Sequence, residues 1–263
     1  MIPPMEISVV IITRNEERRL EDALKSVSGL ASEIIVVDSR STDGTVKLAK
    51  RYTQRVFEHD WTNYSEQKNF ADSQASFPWI LPLDADERIS PELKSELLEL
   101  KARTPEGAWA AFSIPRRVFY LGRWIRHSGW YPDRRLRLFL KEKSHWEGDY
   151  VHERLVVEGP AGKLQGTIHH FTYRTISDHL ARINKFSDLG AQKLYAERKK
   201  CRWYHLIFLP PARFFKAYLL QLGFLDGFPG LVIAVLTSYA IFVRYAKLRE
   251  IWRRGERIEP LSY

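Results

Sequence analysis

Two carboxylates one residue apart, Asp84 and Asp86, close the apolar run Trp79-Ile80-Leu81-Pro82-Leu83-Asp84-Ala85-Asp86-Glu87. An extended backbone turns both to one side. Two hard oxygen donors on one side suit Mg²⁺ or Mn²⁺ shared with a diphosphate, because Mg²⁺ usually binds through one or two carboxylates plus substrate phosphates. The same residues also fit a solvated acidic turn ahead of a helix capped by Ser90. Two further polar clusters end apolar runs upstream. Thr13-Arg14-Asn15-Glu16-Glu17 follows residues 7–12, and Asp38-Ser39-Arg40-Ser41-Thr42-Asp43-Gly44-Thr45 follows residues 33–37. Each alone is an ordinary cap or turn. Three at the carboxyl ends of strands in one sheet would line one crevice, where open α/β sheets bind ligands.

The elements that must position these clusters follow from periodicity. Residues 7–12, Ile-Ser-Val-Val-Ile-Ile, and residues 33–37 are short, nearly continuous runs rich in β-branched residues, as in parallel strands buried on both faces. Between them Leu20, Ala23, Leu24 and Val27 recur at helical spacing, and Gly29 is placed to end that helix. A helix over residues 45–52, a weaker strand over 54–58, a helix over 65–76 carrying Gln67-Lys68-Asn69, and the strand from Trp79 complete a β-α-β-α-β-α-β order. That order predicts a Rossmann-like, mostly parallel α/β sheet with right-handed crossovers. No Gly-x-Gly-x-x-Gly follows the first strand and no Walker lysine loop occurs, which argues against a dinucleotide dehydrogenase or a P-loop NTPase.

At this point the three motifs resemble the family 2 glycosyltransferases. They are Val9-Val10-Ile11-Ile12-Thr13-Arg14-Asn15-Glu16-Glu17, Ile35-Val36-Val37-Asp38 through Thr45, and Leu83-Asp84-Ala85-Asp86-Glu87. Arg40 departs from the Gly or Asn of many members. The resemblance covers the first hundred residues and implies a GT-A fold, a nucleotide-diphosphate sugar as donor and a divalent cation, Mg²⁺ or Mn²⁺. It implies that Thr13, Asn15 and Glu16 line the base and ribose pocket. Asp38 would accept from a uracil N–H or a ribose hydroxyl. Lys68 would face the base or diphosphate, Asp84 the ribose and Asp86 the metal, with His170 as a further metal ligand. It also places the general base downstream, at Glu153 in Val151-His152-Glu153, with Asp149 as its rival and Glu147 behind both. A structural contact of Glu153 with Arg154 or His152 is the plain alternative.

The middle of the chain reads as a strand over residues 108–118, an aromatic and basic loop from Phe119 to His127, and Arg135-Leu136-Arg137-Leu138. That last alternation predicts an exposed-edge strand, with Arg135 available to phosphate as a bidentate donor. A strand over 155–158 and another over 163–170, ending in His169-His170, follow. Interleaved aromatics and arginines also bind single-stranded nucleic acid, but no RNA-binding motif accompanies them, and no nucleic acid is expected.

There are 41 Lys+Arg against 32 Asp+Glu, a net charge of +9 over 263 residues. The excess fits an anionic partner: nucleic acid, a nucleotide or an anionic lipid surface. The single Cys201 suits a reducing cytosol. The first residues lack the basic-then-apolar layout of a signal peptide. An amphipathic helix over 177–199 and a helix over 212–222 precede an apolar run, 230–243, that is shorter than the roughly 20 residues of a spanning helix. Arg244, Lys247, Arg249, Arg253 and Arg254 follow it. A short apolar helix with a basic end suits insertion into one leaflet, and a core helix is the alternative. Asp226 and Pro229 argue against a transmembrane hairpin. The expected organisation is a catalytic domain over 1–175, with a nucleotide-sugar half to about 100, and a helical membrane-docking region over 176–263. Gly223-Phe224-Leu225-Asp226-Gly227-Phe228-Pro229-Gly230 resembles the bacterial subgroup of that family that adds glucose to the lipopolysaccharide inner core. That implies UDP-glucose as donor, ahead of UDP-GlcNAc or UDP-galactose, an amphiphilic acceptor and a place at the cytoplasmic face of the inner membrane. The competing readings are a metal-dependent nucleotidyltransferase and a non-catalytic anionic-lipid or nucleic-acid binding protein.

Overall fold

The structure, a computed structural model, describes residues 5–103, 109–148 and 153–254. In chain order its elements are β1 (Ile7–Thr13), α1 (Leu20–Val27), β2 (Glu33–Asp38), α2 (Thr45–Ala49), β3 (Val56–Glu58), α3 (Tyr64–Ser73), β4 (Trp79–Asp84), β5 (Glu87–Ile89), α4 (Pro91–Arg103) and β6 (Ala111–Tyr120). There follow β7 (Arg123–Trp124), β8 (Asp133–Leu140), β9 (Ser144–Glu147), β10 (Arg154–Val157), β11 (Ala161–Lys163), β12 (Ile168–His170), α5 (Ile176–Ala196), α6 (Trp203–Ile207), α7 (Leu209–Phe215) and α8 (Gly227–Arg254). They fall into two compact units, Met1–Arg117 with Pro132–Phe171, and Val118–Tyr131 with Thr172–Tyr263.

The first unit is built on a sheet of order β3-β2-β1-β4-β8-β6-β12-β5. Its first four strands are parallel, and β8 then joins both β4 and β6 antiparallel. Alternation along β1 divides the core into two layers. Ile7, Val9 and Ile11 pack with Leu20, Ala23, Leu24 and Val27 of α1, and with Leu93 and Leu97 of α4. Val10 points the other way, into a cluster with Ile35, Val37, Ile80 and Ala71 of α3. The apolar spacing predicted for α1 is therefore its buried face, with all four residues at 0% exposure, each contributing about 1–3 kcal/mol. Ser90 Oγ accepts from Leu93 N at 3.1 Å, so the predicted cap on α4 forms. It forms after β5, not directly after the acidic pair.

The strand through Arg135 and Arg137 is not an exposed edge. β8 lies inside the sheet, between β4 and β6, and Arg137 is buried. The alternation was correct in period. That face is covered at Arg137 because the buried Glu87 carboxylate compensates its guanidinium, and is open at Arg135. The β4–β8 ladder is confined to Trp79 and Ile80. Pro82, which has no N–H for a ladder, stands beyond it, so the last residues of β4 are not paired to β8. The run 163–170 is two short strands, β11 and β12, rather than one.

In the second unit α5 begins with a capping box, Thr175 and Asp178 each bonding the other's backbone. Such a box satisfies two otherwise orphaned N–H groups. Lys247 of α8 reaches back to Asp188 at 2.7 Å and to the Asn184 side-chain oxygen at 2.7 Å on α5. Asp226 is buried and accepts from the backbone N–H groups of Arg126 and His127 at 3.2 and 2.8 Å. The apolar run is not a short helix. It lies within the 28-residue α8, and Pro229 stands in the first turn, where its missing N–H costs nothing. Among the described residues, the segment Gly223–Arg254 is long and apolar enough to cross a membrane, with 33% of its apolar window buried.

Candidate functional site

The strand register brings the predicted clusters together. Thr13 of β1 lies opposite Asp38 of β2, and Ile12 lies opposite Asp84 of β4. Thr13, Asp38 and Asp84 thus end three adjacent parallel strands. The chain winds from β1 outward to β2 and β3, then returns to the other side of β1 as β4. The crevice beside β1 and β4 is a topological switch point, where such sheets bind ligands.

The loop after β1 and the loop after β2 hold each other. Thr13 Oγ1 donates to Asp38 Oδ2 at 2.9 Å, and Ser41 N donates to Asp38 Oδ1 at 2.7 Å. Asn15 N donates to Ser41 Oγ and Thr42 N donates to Asn15 Oδ1, both at 2.8 Å. Glu16 N donates to Thr45 Oγ1 at 2.8 Å, and Gly44 N donates to Glu17 Oε2 at 3.0 Å. A side chain on Gly44 would collide with the Glu17 carboxylate. Asn15 has φ 56°, a left-handed conformation that Asn tolerates better than most residues. Asp38 is buried and already holds protein donors on both oxygens.

Behind the acidic pair lies a buried charge network. Glu87 is fully buried. It accepts from Arg137 Nη2 at 3.0 Å, from Arg116 Nη1 at 3.4 Å and from Asp84 N at 3.1 Å. Arg137 Nη2 also lies 3.4 Å from Asp84 Oδ2, and its Nη1 has no protein partner. Arg116 turns its other edge to Asp133 at 2.8 Å, and Arg135 Nε holds the second oxygen of Asp133 at 2.8 Å. Burial opposes the charge on Asp84, but the guanidinium of Arg137, then Lys68, His170 and Arg116, hold its carboxyl far below the usual carboxylate range. Arg135 itself is more than half exposed.

Asp86 Oδ2 lies 3.3 Å from His170 Nε2 and 3.8 Å from Arg19 Nη1, which also reaches Glu16. Burial opposes ionisation of Asp86 and Asp84 repels it, yet the hydrogen bond and charge of His170, with Arg19 beyond, keep its carboxyl below the ordinary value. Among the described residues no group of three His, Cys, Asp or Glu side chains stands as a ready-made metal cage. Two carboxylates held ionised, with an imidazole on one of them, nonetheless fit a hard divalent cation that takes its remaining oxygens from a diphosphate.

Helix α3 presents one face, at positions 65, 68, 69 and 72, to β9 and the residue after it. Ser65 Oγ donates to Gly148 O at 2.7 Å, and Asn69 exchanges two 2.8 Å bonds with the Trp146 backbone. Buried Lys68 sits 4.3 Å over the Trp146 ring, and its ammonium lies 3.3 Å from Glu153 Oε1. The predicted lysine and the predicted base, 85 residues apart, are therefore partners. Of the plain alternatives for Glu153, Arg154 is bonded to Glu147, and His152 lies outside the described residues. Asp149 lies outside the described residues.

Arg137, Glu87, Arg116 and Asp72 escaped the sequence reading. Asp72 accepts from Trp146 Nε1 at 2.8 Å while its other oxygen has no partner, and burial pushes its carboxyl up to about 7. A signal existed for one of them: Glu87 follows the acidic motif directly.

Fold and site together define a doubly wound α/β enzyme with its charged groups at a winding switch. The model of Glycosyl transferase family 2 matches residues 8–156, and the chain belongs to that family. It is 34% identical over 260 residues to the lipopolysaccharide core biosynthesis glycosyltransferase LpsC of Rhizobium meliloti, covering 94% of this chain and 95% of that protein. An uncharacterized glycosyltransferase of Rickettsia typhi is 31% identical over 262 residues, covering 96% of this chain and 90% of its own. Among solved structures, S. aureus TarS 1-349 in complex with UDP-GlcNAc aligns over 97% of this chain and 93% of that chain, at 14% identity and a TM-score of 0.49. The enzyme is a family 2 glycosyltransferase with the α/β architecture expected of the GT-A fold.

Proposed function

We propose that this enzyme moves a hexose, glucose foremost, from a UDP-sugar to a lipid-linked or lipopolysaccharide-core acceptor, with inversion, at the cytoplasmic face of a bacterial inner membrane. One observation carries the donor half of this reading. Thr13, Asp38 and Asp84 end adjacent strands at the switch point, beside the Asp86–His170 pair. Asp86, with His170, would hold Mg²⁺ or Mn²⁺, which when bound neutralises charge on the departing diphosphate, and Asp84 would reach the ribose. Thr13, Asn15, Glu16 and Asp38 form the wall for base and ribose. Arg135, exposed and held by Asp133 through its Nε, would offer its remaining guanidinium donors to phosphate. Glu153 takes the acceptor hydroxyl proton as the oxygen bonds to the anomeric carbon and UDP leaves, with Asp149 as the rival base. Lys68 holds the Glu153 carboxylate until acceptor arrives. The acceptor class is supported by the lipopolysaccharide-core relative and by the exposed apolar residues of α6 to α8, among them Trp203, Ile207, Phe208, Phe228 and Leu231.

The test is UDP release across a panel of nucleotide sugars, with and without a rough lipopolysaccharide acceptor, before and after chelation. Acceptor-dependent UDP release that needs Mg²⁺ or Mn²⁺ is expected. Pyrophosphate release instead would make the enzyme a nucleotidyltransferase, and donor turnover indifferent to any amphiphile would remove the acceptor assignment.

A further inference from the structure

Helix α8 is long and apolar enough to cross a membrane, yet protein covers one side of it from end to end. At its start Asp226 accepts from the backbone N–H groups of Arg126 and His127 at 3.2 and 2.8 Å, and Ile233 is buried with Val118, Tyr120 and Ile125. Farther along, Leu236, Thr237, Ala240 and Arg244 meet His179, Arg182 and Ile183 of α5 around a small cavity. Lys247 is bonded to Asp188 and Asn184, and Leu248 and Ile251 are buried with Ala191. About 180° round α5 from its buried residues, Asp178 and Lys185 are exposed.

The opposite side of α8 is bare. At 100° per residue, Phe228, Leu231, Val235, Tyr239 and Phe242 fall within about 80° of arc, centred about 160° from the residues that meet α5. Each is more than a third exposed, and together they form a stripe about 21 Å long. Ser238 Oγ, at the flank of the stripe, donates to Pro210 O of α7 at 2.7 Å. Exposed Arg249 and Arg253 continue the line of the stripe. From Arg198 to Arg249 there are nine Lys and Arg and one carboxylate, Asp226, which is buried. The exposed charge around the stripe is therefore cationic. That complements an anionic lipid surface and opposes a second copy of the same face, where cation would meet cation.

A spanning α8 would carry α5 into hydrocarbon with it. Arg182 stands level with the middle of the apolar run, and neighbouring Asp178 is exposed. Charged side chains at that depth are costly. We infer that α8 lies in the plane of the membrane surface as an anchor to one leaflet, its stripe among the outer acyl carbons and α5 on its water side. The inference rests on the membrane placement in the proposed function and is independent of the reaction.

The test uses the full chain with Cys201→Ser and one reporter cysteine at a time, each variant first matched to the parent by its circular-dichroism melt. Arg126→Cys reports on the start of α8 and Lys193→Cys on its end; both positions are exposed. An impermeant maleimide should label neither in spheroplasts and both in inverted inner-membrane vesicles. One labelled in each preparation would make α8 a span and overturn the inference, with the membrane placement intact. Spin labels at Leu231→Cys, Val235→Cys and Phe242→Cys, on vesicles with about one anionic lipid in five, should share one depth of about 5–10 Å. A span would instead set Val235→Cys near the bilayer centre, about 15 Å down, with the other two shallower. A chain that stays off membranes and vesicles alike would remove the membrane placement and this inference together. A lipid-free dimer in which the stripe cysteines resist the maleimide would give the stripe to a second copy and overturn the inference.

Discussion

Glu153 and Lys68 meet as an ion pair of a buried ammonium with a partly buried carboxylate. A sugar hydroxyl becomes a competent nucleophile as its proton leaves, and a positioned base contributes about 10²–10⁴-fold. Glu153→Gln keeps the shape and removes the basicity, so turnover should fall by about that factor while donor affinity holds. A normal rate in Glu153→Gln together with a dead Asp149→Asn would move the base to Asp149. Arg137 is the residue on which the acidic site leans. Arg137→Met leaves Glu87 buried beside only Arg116 and should cost about 3–5 kcal/mol, because an uncompensated charge remains in the interior. Glu87→Gln/Arg137→Met should cost much less than the two single changes added together, since each single strands its partner. Denaturant unfolding of the four proteins measures the coupling, and simple additivity would show that the pair is not energetically joined.

The two loops after β1 and β2 behave as one element, tied by Asn15, Ser41, Thr42 and Thr45. Asn15→Ala loses the bond to Thr42 and strains a positive φ, together about 1–3 kcal/mol. Asn15→Gly relieves the strain and loses only the bond. Stability and UDP affinity should therefore rank parent, Gly, Ala; an Ala variant as good as Gly would show that the conformation carries no cost. The seam of α3 against β9 carries a pH dependence. Asp72 binds its proton in the folded state up to about 7, whereas the unfolded chain gives it up near the ordinary aspartate value of 3.8. Between those values the folded state holds more protons, so stability falls as pH rises through the window. Asp72→Asn keeps the acceptor for Trp146 and cannot ionise. It should be more stable than the parent at pH about 8, by a few kcal/mol, and nearly equal near pH 4. Denaturation curves at the two pH values decide it: a constant difference would exclude the carboxyl as the cause.

At the scale of the whole molecule, charge and apolar surface act together. The net charge is +9, and large apolar side chains from Trp203 to Phe242 are exposed along the C-terminal helices. Contiguous exposed apolar surface marks a membrane or partner site, and basic residues near it favour anionic lipid by about 1 kcal/mol each. Flotation with vesicles holding about one anionic lipid in five should recover the full chain. Recovery should fall, not vanish, as salt rises, because screening removes the electrostatic part and leaves the apolar part. A chain that ignores vesicles at low salt would return α8 to the role of a core helix.

Local pattern determined a great deal here. The β-branched runs and the helical spacing of Leu20, Ala23, Leu24 and Val27 specify which faces are buried, because burial must repeat with the period of the backbone. The polar residues that end those runs could be read as a site, because the ends of parallel strands share one sheet edge. What pattern could not give was compensation across the chain. Arg135 and Arg137 share a face of one strand, but one is exposed and the other buried. The difference is Glu87, fifty residues away, whose charge makes burial of a guanidinium tolerable. The same holds for Lys68, whose burial depends on Trp146 and Glu153, and for the length of α8, which continues through the basic residues that seemed to end it. Sequence fixes periodicity because neighbours in the chain share geometry; only the tertiary structure decides which distant charge stands opposite which.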